Sequence, residues 1–268
     1  MTKFKLLAAS ALGACLLAAP VSAAAQAQSA ESAPPAAAAT PPAAAVDPAA
    51  LQALEAMGAY LRTLNAFEMK ADIVSDEVTD DGRKLQIGST VTYKARKPSK
   101  LSIDTVSDRK LRKLYYDGKQ LTLYAPRVGF YAQAPAPPTI RETLDVLYDK
   151  YGVEVPLEDL FRWGEPGDAR EALTRGFYVG PARIGGVETD QYAYSTGDVD
   201  WQVWIARGDK PVPRKIVITS LFDDAQPQFS ATMDWNTAPS LKDADFAFTP
   251  PATAKSITFA DASTTAVK

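Results

Sequence analysis

Three adjacent carboxylate pairs, Asp80-Asp81, Glu158-Asp159 and Asp223-Asp224, are the side chains in this sequence best suited by type to acid–base chemistry. Their spacing argues against it. Adjacent residues on a strand point to opposite faces. Asp80-Asp81 and Asp223-Asp224 sit beside turn formers, where Asp accepts hydrogen bonds from its own backbone. Glu158-Asp159 falls in a short helical piece. The 268 residues contain no histidine, which excludes Ser-His-Asp and Cys-His catalysis and histidine-ligated metal sites. Ser195 and Ser220 have no visible base, and Cys15 is the single cysteine. The glycine pairs lie in hairpin turns rather than in a phosphate loop. No catalytic residue, metal or cofactor is expected.

Recognition by apolar surface is the chemistry that remains. Trp201, Val203 and Ile205 alternate with Asp200, Gln202 and Trp204, and Phe229, Ala231, Met233 and Trp235 alternate with Ser230, Thr232 and Asp234. A period of two marks strands with one apolar face, and methionine adapts to irregular ligands. Candidate lining residues of an apolar hollow are Met69, Ile73, Val91, Tyr93 and Ile103 in the first half of the chain. Leu121 and Leu123 follow, then Trp201, Val203, Ile216, Ile218, Met233 and Trp235. Leu144, Leu147, Leu160 and Phe161 are candidates for a lid. Ordinary packing of helix on sheet is the competing reading for each of them. On the hollow reading, Trp201→Asp should lower lipid occupancy without unfolding the protein.

These residues need a curled sheet to hold them. Lys113 to Gln133 reads as three short strands joined by turns at Asp117-Gly118 and Pro126 to Gly129, glycine accepting the positive φ that a tight hairpin needs. Upstream, Asp47 and Pro48 start a helix that places Leu51, Leu54, Met57, Leu61 and Leu64 on one face. Strands follow through Phe67–Ile73, Leu85–Ala95 and Leu101–Thr105, the pattern of a meander. Thr139-Ile-Arg-Glu142 is a capping box for a second helix that stops at Gly152. A helical piece over Pro156 to Trp163 and a candidate further turn of helix within Glu165 to Leu173 come next. Strands resume at Phe177–Arg183, Val187–Ser195, Val199–Ala206, Arg214–Phe222 and Gln228–Trp235, and Phe246-Ala-Phe248 and Ile257 close the chain. The expectation is a mainly β fold of about eleven strands in one antiparallel layer, with N-terminal and central helices over one face.

The N-terminus has Lys3 and Lys5, an apolar run from Leu6 to Ala19, and small residues at Val21-Ser22-Ala23, the pattern of a secretory signal peptide over 1–23. Leu12-Gly13-Ala14-Cys15 resembles a lipobox, so a lipid anchor through Cys15 stands as the alternative to periplasmic release. Residues 24–46 are Ala/Pro-rich and expected to be a disordered linker, 47–260 the folded domain and 261–268 a flexible tail. Cleavage after Ala23 leaves 27 basic against 32 acidic side chains, a net charge of −5, the wrong sign for a nucleic-acid binder. Basic clusters at Lys94–Lys97, Arg109–Lys113 and Lys210–Lys215 read either as solvated strand ends or as a weak attraction to anionic lipid headgroups.

The N-terminal helix, the meander with YYDGKQLTLYAPRVGFYAQ, the helical break after a Pro-rich run, and WQVWIARGDKPVPRKIVI together resemble the LolA/LolB lipoprotein-carrier superfamily. The likeness spans about 47–260 and is greatest to the DUF2092 type of exported protein, through Tyr116-Asp117-Gly118, Trp204-Ile205, Pro213-Arg214 and Phe246-Ala-Phe248. The resemblance implies an unclosed antiparallel β half-barrel with lid helices across its open side. It implies a non-enzymatic, monomeric carrier of lipid or lipoprotein acyl chains, with transient membrane contact. An envelope sensor or adaptor that uses the same hollow for a protein partner is the alternative. Burying about 14 methylenes contributes roughly 11 kcal/mol gross. Three such chains would exceed the ceiling of about 18–21 kcal/mol for non-covalent affinity, so a partly open site or a moving lid is expected.

Overall fold

Asp47 accepts a hydrogen bond from the Ala49 amide at 2.8 Å and, with Pro48 at the first position, starts α1 (Pro48–Thr63). The structure, a computed structural model, describes residues 46–262. The expected signal peptide, Cys15, the linker before Val46 and most of the expected C-terminal tail lie outside the described residues. Leu54, Met57 and Leu61 of α1 are buried, as the helical spacing predicts.

Six strands then run up and down: β1 (Ala66–Val78), β2 (Lys84–Arg96), β3 (Lys100–Ser107), β4 (Leu111–Tyr116), β5 (Gln120–Ala125) and β6 (Phe130–Pro135). Thr139 caps α2 (Ile140–Tyr151), and Gly152 ends it in the left-handed region at φ 62°. Single 3-10 turns at Glu158–Phe161 and Ala169–Ala172 replace the helical pieces expected there. Pro156, Pro166 and the left-handed residues Leu157, Gly164 and Gly167 interrupt any longer helix. A second meander follows: β7 (Arg175–Ile184), β8 (Val187–Ser195), β9 (Val199–Ala206), β10 (Pro213–Ser220) and β11 (Gln228–Asn236).

The two meanders join through β1 and β11 into one sheet, ordered β12-β6-β5-β4-β3-β2-β1-β11-β10-β9-β8-β7. Among the described residues the strands number twelve rather than eleven. The additional one, β12 (Lys255–Ile257), lies parallel to β6; every other pairing between strands is antiparallel, and a single parallel bridge joins Val46 to Gly176 of β7. β12 and β7 are the two ends of the sheet, so it does not close. The fold is an unclosed β half-barrel.

Two segments read from the sequence with the strands lie outside them. β10 stops at Ser220, leaving Leu221 and Phe222 in the turn. Phe246-Ala-Phe248 is not a strand: it follows a 3-10 turn at Asp243–Asp245 and lies against the outer face of the sheet. Phe248 sits there among Tyr115, Tyr124 and Tyr131 at ring-centroid distances of 5.2 to 5.5 Å. Arg96 pairs with Asp243 and Lys94 with Asp245 at 2.7 Å, fastening this segment to β2. The Asp117-Gly118 hairpin has three loop residues, Asp117 to Lys119. Asp117 accepts from the amides of Lys119 and Gln120 at 2.9 and 2.8 Å.

Candidate functional site

Strand register sorts the inward side chains into rows. One row runs Trp235, Met69, Tyr93, Ile103, Leu114 and Leu123 across β11, β1, β2, β3, β4 and β5. A second runs Val203, Ile216, Ala231 and Ile73. A third runs Tyr194, Trp201, Ile218 and Phe229. Val91 pairs with Ala71, which faces Met233, and Leu121 pairs with Tyr116. The thirteen residues expected to line a hollow therefore share the inner face. All of them, together with Leu144, Leu147, Leu160 and Phe161 from the covering segment, belong to or pack against one apolar cluster.

Three layers cover that face. α1 lies toward β7–β9 and α2 toward β3–β5. Between them run residues 153–173, which have no α-helix or strand. Phe161 packs on Phe67 and Tyr93 at 5.7 and 6.2 Å between ring centroids. Trp163 meets Trp201 edge-on at 5.7 Å, and Trp201 stacks on Tyr194 at 4.4 Å. Three tyrosine hydroxyls rise from the sheet and donate to carbonyls of the cover. Tyr93 bonds Pro156, Tyr116 bonds Pro137 at 2.5 Å, and Tyr194 bonds Ala50 at 2.8 Å. Burial holds all three phenols above their ordinary value. Sequence reasoning missed Tyr116 and Tyr194 as cover-holding groups. The signal was a phenol at an apolar position of an alternating strand, which needs a partner once buried.

Apolar side chains of the sheet and its cover pack into one cluster. A cavity within it, bounded by Leu54, Trp163, Gly164, Asp168, Ala169, Arg170 and Trp201, measures about 10 Å³, room for about one water. Pockets that hold drug-sized ligands measure about 300–1,000 Å³. The Nε1–H of Trp163 is buried without an acceptor, whereas Trp235 donates to the Pro213 carbonyl at 2.7 Å. Trp201 is buried beneath this packing. An aspartate there would be an unpaired charge in an apolar core, so Trp201→Asp would unfold the protein, contrary to the sequence expectation. A larger recess of about 240 Å³ on the outer face is lined by Thr92, Lys94, Ser102, Asp104, Tyr115 and Asp245. Its Lys94 pairs with Asp245 at 2.7 Å, and its Asp104 pairs with the neighbouring Lys113 at 2.8 Å, chemistry unsuited to an acyl chain.

Two of the carboxylate pairs serve turns. Asp223 accepts from the Ala225 amide at 2.8 Å. Asp81 binds Thr79 and Arg83, which hold its carboxyl below the ordinary value. Among the described residues no three His, Cys, Asp or Glu side chains gather as a metal cage, and no helix is long and apolar enough to cross a membrane.

Residues 50–260 match the family model described as "Predicted periplasmic protein (DUF2092)". The chain belongs to this family. No curated protein matches it. Among solved structures the chain is similar to the Mycobacterium tuberculosis lipoprotein LppX, with 12% identity over 73% of this chain and 100% of that one, at a TM-score of 0.46. It is also similar to LprF from Mycobacterium bovis, with 13% identity over 78% and 99% of the two chains, at a TM-score of 0.45. The complex of MucA and MucB from Pseudomonas aeruginosa matches with 14% identity over 75% of this chain and 61% of that one, at a TM-score of 0.43.

Proposed function

We propose that this periplasmic-family protein is a non-enzymatic binding protein that takes one acyl chain, of a lipid or lipoprotein, between the inner rows of its sheet and the covering segment. The observation that carries this reading is how the interior is filled. Phe161 and Trp163, on a segment without α-helix or strand, occupy the space over Tyr93 and Trp201, and the Trp163 indole N–H forgoes an acceptor there. A buried unsatisfied donor costs about 1–3 kcal/mol, which favours exchange of this plug for a guest. The closed form would then be the unloaded one. The second reading, an envelope adaptor recognised by a protein partner, is favoured by the closed packing itself, since about 10 Å³ holds no lipid.

The two separate on extraction. The mature protein purified from cells and extracted with organic solvent should yield lipid near one equivalent. A clean extract, with a protein partner retained, supports the adaptor. Trp163→Leu removes the plug's second ring while keeping the surface apolar. It should bind a fluorescent fatty acid roughly fivefold tighter than wild type, the equivalent of about 1 kcal/mol of displaced packing. Equal or weaker binding by this variant would sink the carrier reading.

A further inference from the structure

The turns at the two ends of the sheet differ in kind. At one end lie Lys97-Pro98-Ser99, Asp117-Gly118-Lys119, Gly185-Gly186 and the connection 207–212. No large apolar side chain is exposed there. The opposite end carries Leu85, Val106, Val128, Phe130, Leu221 and Phe222, all exposed. Val74, Ile257 and Phe177 to Val179 are exposed along the strands, but six large apolar side chains gathered at one pole mark an interaction surface.

Charge divides that pole into two corners. Leu221 and Phe222 sit beside Asp223, Asp224 and Asp198. The turns 107–110 and 126–129 form the other corner. They are tied together by Arg127, which donates to the Ser107 carbonyl at 2.8 Å and to the Asp108 carbonyl. Lys255 joins through its amide, which donates to the Gly129 carbonyl at 2.8 Å. Arg109, Lys110, Arg112, Arg127 and Lys255 face Asp108 and Glu77, the latter paired with Arg109 at 2.8 Å. The corner has a net charge of +3 in a chain whose total is negative. Val128, 64% exposed, stands at the tip, with Val106 and Phe130 at 49% and 39% beside it.

We propose that this corner docks the protein on an anionic bilayer surface, with the Val128 tip at the headgroup–acyl boundary and the five cations among the headgroups. Apolar tips on protruding turns suit a deformable lipid boundary, and the surrounding cations match its charge. Phe130 lies on the same face of β6 as Ala132 and Ala134, which face the interior. The docked corner therefore abuts the apolar inner face. The inference goes beyond the carrier reading and does not depend on it, because docking needs no cargo.

Vesicles of phosphatidylcholine alone and of phosphatidylcholine with phosphatidylglycerol, sedimented with the mature protein, test the proposal. Wild type should bind the anionic vesicles and release them as salt rises. Lys110→Glu should weaken that binding at least about fivefold, the effect of one cation near such a surface. Val128→Asp, at an exposed turn, should weaken it at least as much, and Phe222→Ser at the acidic corner should leave it unchanged. Absent binding to anionic vesicles, equal binding to both compositions, or loss with Phe222→Ser but not Val128→Asp would each overturn the proposal. Fatty-acid binding with no vesicle binding would leave the carrier reading standing and remove this one.

Discussion

Tyr93, Tyr116 and Tyr194 are the residues on which closure of the interior turns. Each phenol is covered by apolar neighbours and satisfied by a carbonyl of a covering element. Their pH behaviour follows from burial, which raises the folded-state values above the 10.0 of an ordinary tyrosine. A raised folded value means that the stability they contribute is complete below about pH 10 and declines as pH climbs toward the folded values. The slope is about 1.4 kcal/mol per pH unit for each phenol still protonated in the native state. Denaturant midpoints should therefore be level between about pH 6 and 8, where histidine would ordinarily titrate and this chain has none. They should fall steeply above pH 10. A midpoint unchanged between pH 9 and about pH 11 would contradict the burial of these hydroxyls.

At the scale of the element, α1 shows how helix and cover are fitted to each other. Gly58 lies in mid-helix, where alanine is ordinarily better by about 1 kcal/mol. Here a Cβ on Gly58 would stand 2.9 Å from the Gly164 Cα and 3.0 Å from its amide nitrogen. Overpacking of that kind costs about 1–3 kcal/mol. Gly58→Ala should thus lower stability by about 1–2 kcal/mol and speed proteolysis within 153–173, measured by thermal midpoint and by mapping the first cleavage. The sequence carried the caps and faces of both helices, because Asp47, Thr139 and Gly152 act through neighbours within a few residues. It also carried most strands, through strict alternation at positions such as Met69, Ala71 and Ile73. β12 was marked only by Ile257, because three exposed residues hold no pattern. Phe246 to Phe248 misled because an alternating aromatic pair reads as strand, whereas its partners, the outward tyrosines of β4, β5 and β6, are more than a hundred residues away. Whether the inner face enclosed space was not legible either. That depends on where Trp163 falls, and no local pattern fixes the path of 153–173.

For the whole molecule, an unclosed sheet leaves edges to protect. β12 covers β6, while β7 offers an outer edge with Phe177 and Val179 exposed. That edge is interrupted: Val179 is an unpaired bulge residue between Tyr178 and Gly180, and Pro181 lacks an N–H. The expected state is a monomer by light scattering, and Pro181→Val combined with deletion of Val179 should shift it toward dimer. A variant that stays monomeric would mean that the bulge and proline are not what keeps this edge from pairing.

Residues 237–257 leave the middle of the sheet at β11, cross the outer surface of β2 to β5 with Phe248 gripped by three rings, and finish hydrogen-bonded along β6. That path works as a girdle. With the far flank strapped to the centre from behind, the strands are hindered from splaying apart to make room. Any volume gained inside must then come from the front, where residues 153–173 lie, while the shell keeps its bend.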